Sequence, residues 1–114
     1  MIYLASPYSD SDPSIVEKRF KLASQATVIA LNRGEIIYSP IVHCHQLAID
    51  YDLPKTFDFW QSYNFGMINH CTTVFVLAID GWDKSVGVAG EIEYAKKKGK
   101  PVVFVDENFK VVEI

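Results

Sequence analysis

A chain of 114 residues with 49% hydrophobic and 22% charged content has the make-up of one globular domain, with room for a single core but not for a separate substrate domain. Its formal net charge of -3 and lack of a basic patch exclude polymeric DNA or RNA as a natural partner. Its apolar runs fall well short of the roughly 18 to 20 residues that span a bilayer, so no membrane partner is expected.

Met1-Ile2-Tyr3-Leu4-Ala5 lacks the charged leader of a secretion signal and reads as a first strand, which makes the cytoplasm the expected compartment. After a turn at Ser6-Pro7-Tyr8-Ser9, Asp12-Pro13 supplies an N-cap followed by proline in the first helical position. The long helix that follows carries a broad apolar face, from Ile15 through Ala23, Ala26 and Ala30, and stops at Gly34. Glu35 to Tyr38 is a second strand. Ser39-Pro40 breaks regular structure, a short helix falls within Ile41 to Asp52, and Leu53-Pro54 turns the chain. Thr56 to Asn69, with Phe57, Trp60, Tyr63 and Phe65, predicts a helix apolar around much of its girth. Thr73 to Ile79 is a buried strand, Val88 to Lys98 a helix closed by Gly99, and Pro101 to Val105 another buried strand. Phe109 to Glu113 is a candidate short edge strand. The lysines at 96–98 and 100 end a helix, where cations favour the dipole.

Strands alternating with helices, two of them continuous apolar runs, predict a mainly parallel sheet covered on both faces. Right-handed crossovers then bring Ser6–Ser9 and Asp80–Gly87 to one crevice at the carboxyl edge. In the second of these loops Ser85 either caps the next helix or joins an anion nest for phosphate. Glu91 is expected in the first turn of a helix opened by Gly87-Val88, where the dipole would keep its carboxylate charged. Such a group suits the first turn on electrostatic grounds alone, and equally could attack an anomeric carbon. Glu93 lies off that face and reads as solvated surface.

Neither GxxxxGK[ST] nor GxGxxG is present, which removes the main sequence support for triphosphate hydrolysis and dinucleotide chemistry; no cofactor is expected. His43-Cys44-His45 has no suitably spaced third ligand, so no metal is expected, and His43 is instead a candidate to line the crevice. Cys44 and Cys71 read as ordinary reduced cysteines. Trp60 suits core or interface, while Trp82, in the loop, is placed to stack on a base.

The order and spacing of Ile2-Tyr3-Leu4-Ala5-Ser6-Pro7-Tyr8, Asp80-Gly81-Trp82, Ser85-x-Gly87-Val88-x-x-Glu91-Ile92-x-Tyr94-Ala95 and Gly99-Lys100-Pro101-Val102 resemble the nucleoside 2-deoxyribosyltransferase superfamily. The likeness is strongest to a small uncharacterised branch whose members begin IYLASPY, and it spans nearly the whole chain, residues 1–114, as one domain. It implies a flavodoxin-like, Rossmann-like three-layer sandwich with a four- to five-stranded sheet, and cleavage of a nucleoside or nucleotide N-glycosidic bond.

In that resemblance Glu91 is the nucleophile and Tyr3 orients it. Ser6 and Ser85 match serines that hold a 5'-phosphate, where transferases of unphosphorylated nucleosides tend to carry aspartate at the second position. Ala5, Tyr8, His43, Asp80, Gly81, Trp82, Gly87 and Val88 complete the expected substrate site. One departure stands out: Asn64 occupies the place of an aspartate that binds sugar or passes a proton to the leaving base, and an amide cannot act as a general acid. Asp80 or Asp83 would have to replace it, or activity would be weak, altered or lost. The expected function is hydrolysis of a (2'-deoxy)nucleoside 5'-monophosphate, with a deoxyribosyltransferase or an impaired nucleotide-binding module as alternatives. Relatives bind substrate across a dimer interface, which implies a homodimer here and makes 106–108 the candidate contribution from a neighbouring chain.

Overall fold

A computed structural model describes all of residues 1–114. Four strands, β1 (Ile2–Ala5), β2 (Ile37–Tyr38), β3 (Thr73–Leu77) and β4 (Val102–Val105), pair in parallel in the order β2-β1-β3-β4. The helices are α1 (Pro13–Asn32), α2 (Pro40–Asp50), α3 (Phe57–Asn69) and α4 (Val86–Lys97). This is the expected flavodoxin-like arrangement. The chain leaves β1 towards β2 and leaves β3 towards β4, so the carboxyl ends of the two central strands flank the switch point, where an α/β sheet opens a crevice.

Strand alternation divides the core into two layers. Tyr3, Ala5, Val74 and Val76 pack with Ile68 of α3 and with Val88 and Ala95 of α4. Leu4, Leu77 and Val105 face Ala23, Ala26 and Ala30 of α1 on the other side. The alanine stripe lets α1 approach the sheet closely, and α1 starts as the sequence predicts, with the Asp12 carboxylate accepting the Ser14 N–H at 2.9 Å.

Several boundaries move. Ser39-Pro40 starts a helix rather than interrupting structure: the Ser39 hydroxyl accepts the Val42 N–H and Pro40 takes the first position, where its missing donor is harmless. The second strand shortens at its amino end to Ile37–Tyr38, because the Glu35 N–H is used to close α1, donating to the Ala30 carbonyl at 3.1 Å. The stretch from Phe109 to Glu113 contributes only an isolated antiparallel bridge, Val105 to Val111, and Phe109 turns inward at φ 58 to stack on Phe75. Although α3 carries apolar side chains around much of its girth, only Asn64 and Ile68 are buried, while Phe59 and Tyr63 are exposed. One of its faces meets α4, and its outward aromatics pack on one another instead, Phe59 against Trp60 and Trp60 against Tyr63. No helix is long and apolar enough to cross a membrane.

Arg19 is bonded to the β1–α1 loop and packs against the β3–α4 loop. Its guanidinium donates to the Ser9 carbonyl at 2.8 Å and pairs with Asp10 at 3.9 Å, and it passes directly over Gly81. Gly81 has φ +92, and a Cβ there would collide with Arg19 Nη2. Replacing Gly81 by alanine therefore imposes left-handed strain and displaces the guanidinium. Gly81→Ala is expected to lower stability by about 1–2 kcal/mol, read as a reduced urea midpoint at unchanged m-value.

Candidate active site

Ser85 determines where α4 begins. Its hydroxyl accepts the Val88 N–H at 3.2 Å, so the first helical residue is Val86, two positions earlier than the sequence predicts. Glu91 consequently lies in the second turn, beyond the free N–H groups of the helix start, and its side chain turns onto the sheet, 4% exposed. There the phenol of Tyr3, wholly buried on β1, donates to the Glu91 carboxyl.

This placement reverses the expected charge of Glu91. Burial pushes its carboxyl from the ordinary 4.5 up to about 8, and the Tyr3 hydrogen bond only partly counters that rise. At neutral pH the group is a neutral acid. Burial also holds the Tyr3 phenol well above its usual range, reinforced by the charge and hydrogen bond of Glu91, so Tyr3 is a donor throughout the physiological range.

Glu91 opens onto a cavity of about 580 Å3 between the β1–α1 loop, α2, α3 and the start of α4. Tyr8, Asn64, Ser85 and Gly87, all expected site residues, line the same cavity. Asn64 is buried beside the cavity and its side-chain oxygen has no hydrogen-bond partner, an unsatisfied acceptor in the wall region. Val86 and Gly87, at the helix start, lack intrahelical partners for their N–H groups and also form part of the wall.

Other expected residues are elsewhere. Ala5 and Val88 are core residues beneath the site. Ser6 is buried with an unpartnered hydroxyl, but is not on the cavity wall. His43 is exposed beside the Tyr38 ring, 5.7 Å between centroids, because two residues along a helix reverse the face and turn His45 inward instead. Asp80 and Asp83 are exposed and off the wall. Gly81 serves its positive φ and the passage of Arg19. Trp82 packs edge-on against Phe104 at 5.0 Å, committed to the protein rather than to the cavity. No group of three His, Cys, Asp or Glu side chains gathers where a metal could be held.

Sequence reasoning missed Lys55, Phe57, Lys84 and His45, which all line the cavity. Phe57, Trp60 and Asn64 recur at helical spacing, a signal for one shared face. Phe57 also lies over Gly90, where a Cβ would come within 2.7 Å of its ring. His45 is buried; its Nδ1 is 2.6 Å from the Tyr8 hydroxyl, its Nε2 3.1 Å from Glu17 Oε2, and its ring stacks on Phe20 at 4.0 Å. Burial, with Glu17 and Cys44 nearby, raises the Tyr8 phenol above its ordinary value, so it too keeps its proton.

The Glu91 shift has a measurable consequence. Its folded value lies above the unfolded one, so its stabilising contribution is complete at acid pH and is lost as pH climbs from about 4.5 to 8. Glu91→Gln, a neutral isostere, removes that loss and is expected to stabilise the protein by a few kcal/mol above the upper limit of this window, an order-of-magnitude figure. Thermal melts of both proteins across the interval check this; parallel Tm profiles would refute a neutral buried carboxyl.

A solved 2-deoxyribosyltransferase from the psychrotolerant bacterium Bacillus psychrosaccharolyticus superposes with a TM-score of 0.58 at 23% identity, over 98% of this chain and 76% of that one. The likeness shows a shared fold. No curated protein matches the chain. With residues 1–107 matched by the family's model, the chain belongs to the family described as a domain of unknown function, DUF1937.

Proposed function

We propose that this protein cleaves the N-glycosidic bond of a nucleoside 5'-monophosphate, 2'-deoxy by preference, using Glu91 as a covalent nucleophile. The observation that carries this reading is the pairing of Tyr3 with Glu91 at the edge of a cavity whose wall includes a serine-capped helix start. A nucleophilic carboxylate must be ionised and aimed, and the Tyr3 donor supports both once substrate is bound. Glu91 attacks C1', the base departs, and water releases the sugar phosphate from the glycosyl ester.

Phosphate recognition is assigned to the Ser85 hydroxyl and the Val86 and Gly87 N–H groups, with Lys84 and Lys55 on the same cavity adding positive charge. The Ser85 hydroxyl already accepts from Val88, and its own proton remains available to a phosphate oxygen. Ser6, the second phosphate donor expected from the resemblance, has a hydroxyl without a protein partner but lies buried off the cavity wall, so phosphate recognition rests on Ser85. Phe57 and Trp60 offer aromatic surface for the base, and Asn64 a hydrogen bond to the sugar. A homodimer belongs to the same reading, supported by the exposed Leu47, Ile49, Tyr51, Phe59 and Tyr63.

A deoxyribosyltransferase would differ only in the acceptor, a second base in place of water. The third reading, a nucleotide-binding module, draws on Asn64 and on the neutral Glu91.

Incubation with the common nucleoside monophosphates, with and without a free acceptor base, separates the three by chromatography. Free base and sugar phosphate are expected, and an exchanged nucleotide would point to transfer. A nucleotide that raises Tm without being cleaved would favour the binding module. Glu91→Ala is expected to abolish cleavage; retained turnover would remove this mechanism. Because the nucleophile must lose its proton, kcat/KM should rise as pH approaches about 8. Ser85→Ala should raise KM for the nucleotide by roughly tenfold while leaving the matching nucleoside little affected.

A further inference from the structure

Resting on the N-glycosidase reading, one chemical need is unmet: a base leaving from C1' requires a proton, and Asn64 has none to give. Asp80 and Asp83 are exposed and off the cavity wall. The cavity does hold a proton-transfer system of another kind. Tyr8 of the β1–α1 loop and His45 of α2 both line it, 2.6 Å apart, and Glu17 of α1 grips the far nitrogen of His45 at 3.1 Å.

We propose that Tyr8 is the acid that protonates the leaving base, and that His45, positioned by Glu17, is its proton reservoir. A carboxylate oxygen can only accept, so Nε2 carries a hydrogen directed at Glu17, and the tautomer is set with Nδ1 facing Tyr8. In neutral His45 the Tyr8 hydroxyl donates to Nδ1. In the imidazolium, Nδ1–H donates to the phenol oxygen and frees the phenol hydrogen to point into the cavity. The stacked Phe20 ring and the burial of His45, only 4% exposed, shield this exchange from water. The titratable groups packed around the pair are Glu17 of α1 and Cys44 of α2, and Glu91 shares the cavity.

The steps balance. As Glu91 bonds to C1', the C1'–N electron pair passes to the base; the base takes the Tyr8 proton, and Tyr8 is reprotonated from His45 Nδ1. In the second half a water oxygen bonds to C1', the C1'–O bond to Glu91 breaks, and the water's proton returns through Tyr8 to Nδ1. The relay acts first as acid and then as base, as one residue does in retaining glycosidases.

The test uses leaving groups that differ in their need for a proton. 2'-Deoxyguanosine 5'-monophosphate needs one, whereas its N7-methylated form already carries the positive charge and departs without it. Tyr8→Phe, which keeps the ring, is expected to lower kcat on the unmethylated nucleotide by ~100- to 10,000-fold and on the methylated one by less than about tenfold, with KM little changed. Glu17→Gln, on a side chain 49% exposed and so tolerant of exchange, should lower kcat on the unmethylated nucleotide while sparing the methylated one, because His45 loses the carboxylate acceptor that orients it towards Tyr8.

Equal losses on the two substrates in Tyr8→Phe would mean Tyr8 only binds, and no loss on either would mean it is idle; both overturn the proposal. So would the same leaving-group pattern in Asp58→Asn with Tyr8→Phe unaffected, since Asp58 also lines the cavity. Glu91→Ala separates the two levels: it should remove turnover of both substrates whatever the acid is. If the wild-type protein cleaves neither, the N-glycosidase reading fails and the relay with it.

Discussion

The Tyr3–Glu91 contact is the constraint around which the rest of the site is arranged. It joins a central strand to the helix that crosses the opposite edge of the switch point, and it places an ionisable group where water scarcely reaches. Desolvation outweighs the donor hydrogen bond, so the carboxyl is held neutral and its pKa is pushed up to about 8. A buried carboxyl of this kind lowers stability at alkaline pH. Perturbed groups of this type concentrate at functional sites, where stability is traded for reactivity.

The remaining walls follow from how the connections are closed. Arg19 bonds the β1–α1 loop that carries Tyr8 and packs over Gly81 of the β3–α4 loop. Gly90 leaves room for Phe57, so the first turn of α3 comes down onto α4 and brings Asn64 to face Glu91's cavity. The α2 helix, started by Ser39 and Pro40, presents His45 to the same space and His43 to solvent. Three helices and three loops thus meet above the carboxyl edge of a four-stranded sheet, and α/β folds use that place for ligands.

Much of this was legible before any coordinates. Continuous apolar runs at Val74–Ile79 and Val102–Val105 can only suit parallel strands covered on both faces, and caps such as Asp12-Pro13 and Gly99 mark helix ends through local chemistry alone. Tyr3, Asn64, Ser85 and Glu91 were legible as a set by resemblance and spacing. Misjudged features depended on a choice between alternatives that the local pattern leaves open. Whether Ser85 caps the helix depends on its own rotamer, and that choice moved Glu91 from the first turn to the second. His43 and His45 differ by two residues, and which one faces inward depends on how α2 lies against α1.

The sequence by itself therefore determined the alternation of strands and helices and the polar loops at the carboxyl edge, because these rest on period, capping and short-range backbone geometry, while the candidate nucleophile was named through the resemblance. The tertiary structure alone decided the charge of Glu91, the exclusion of Asp80, Trp82 and His43 from the cavity, and the linking of Tyr8, His45 and Glu17 into one chain of hydrogen bonds. Desolvation and hydrogen bonding across tens of residues depend on which surfaces meet, and no local pattern encodes that meeting.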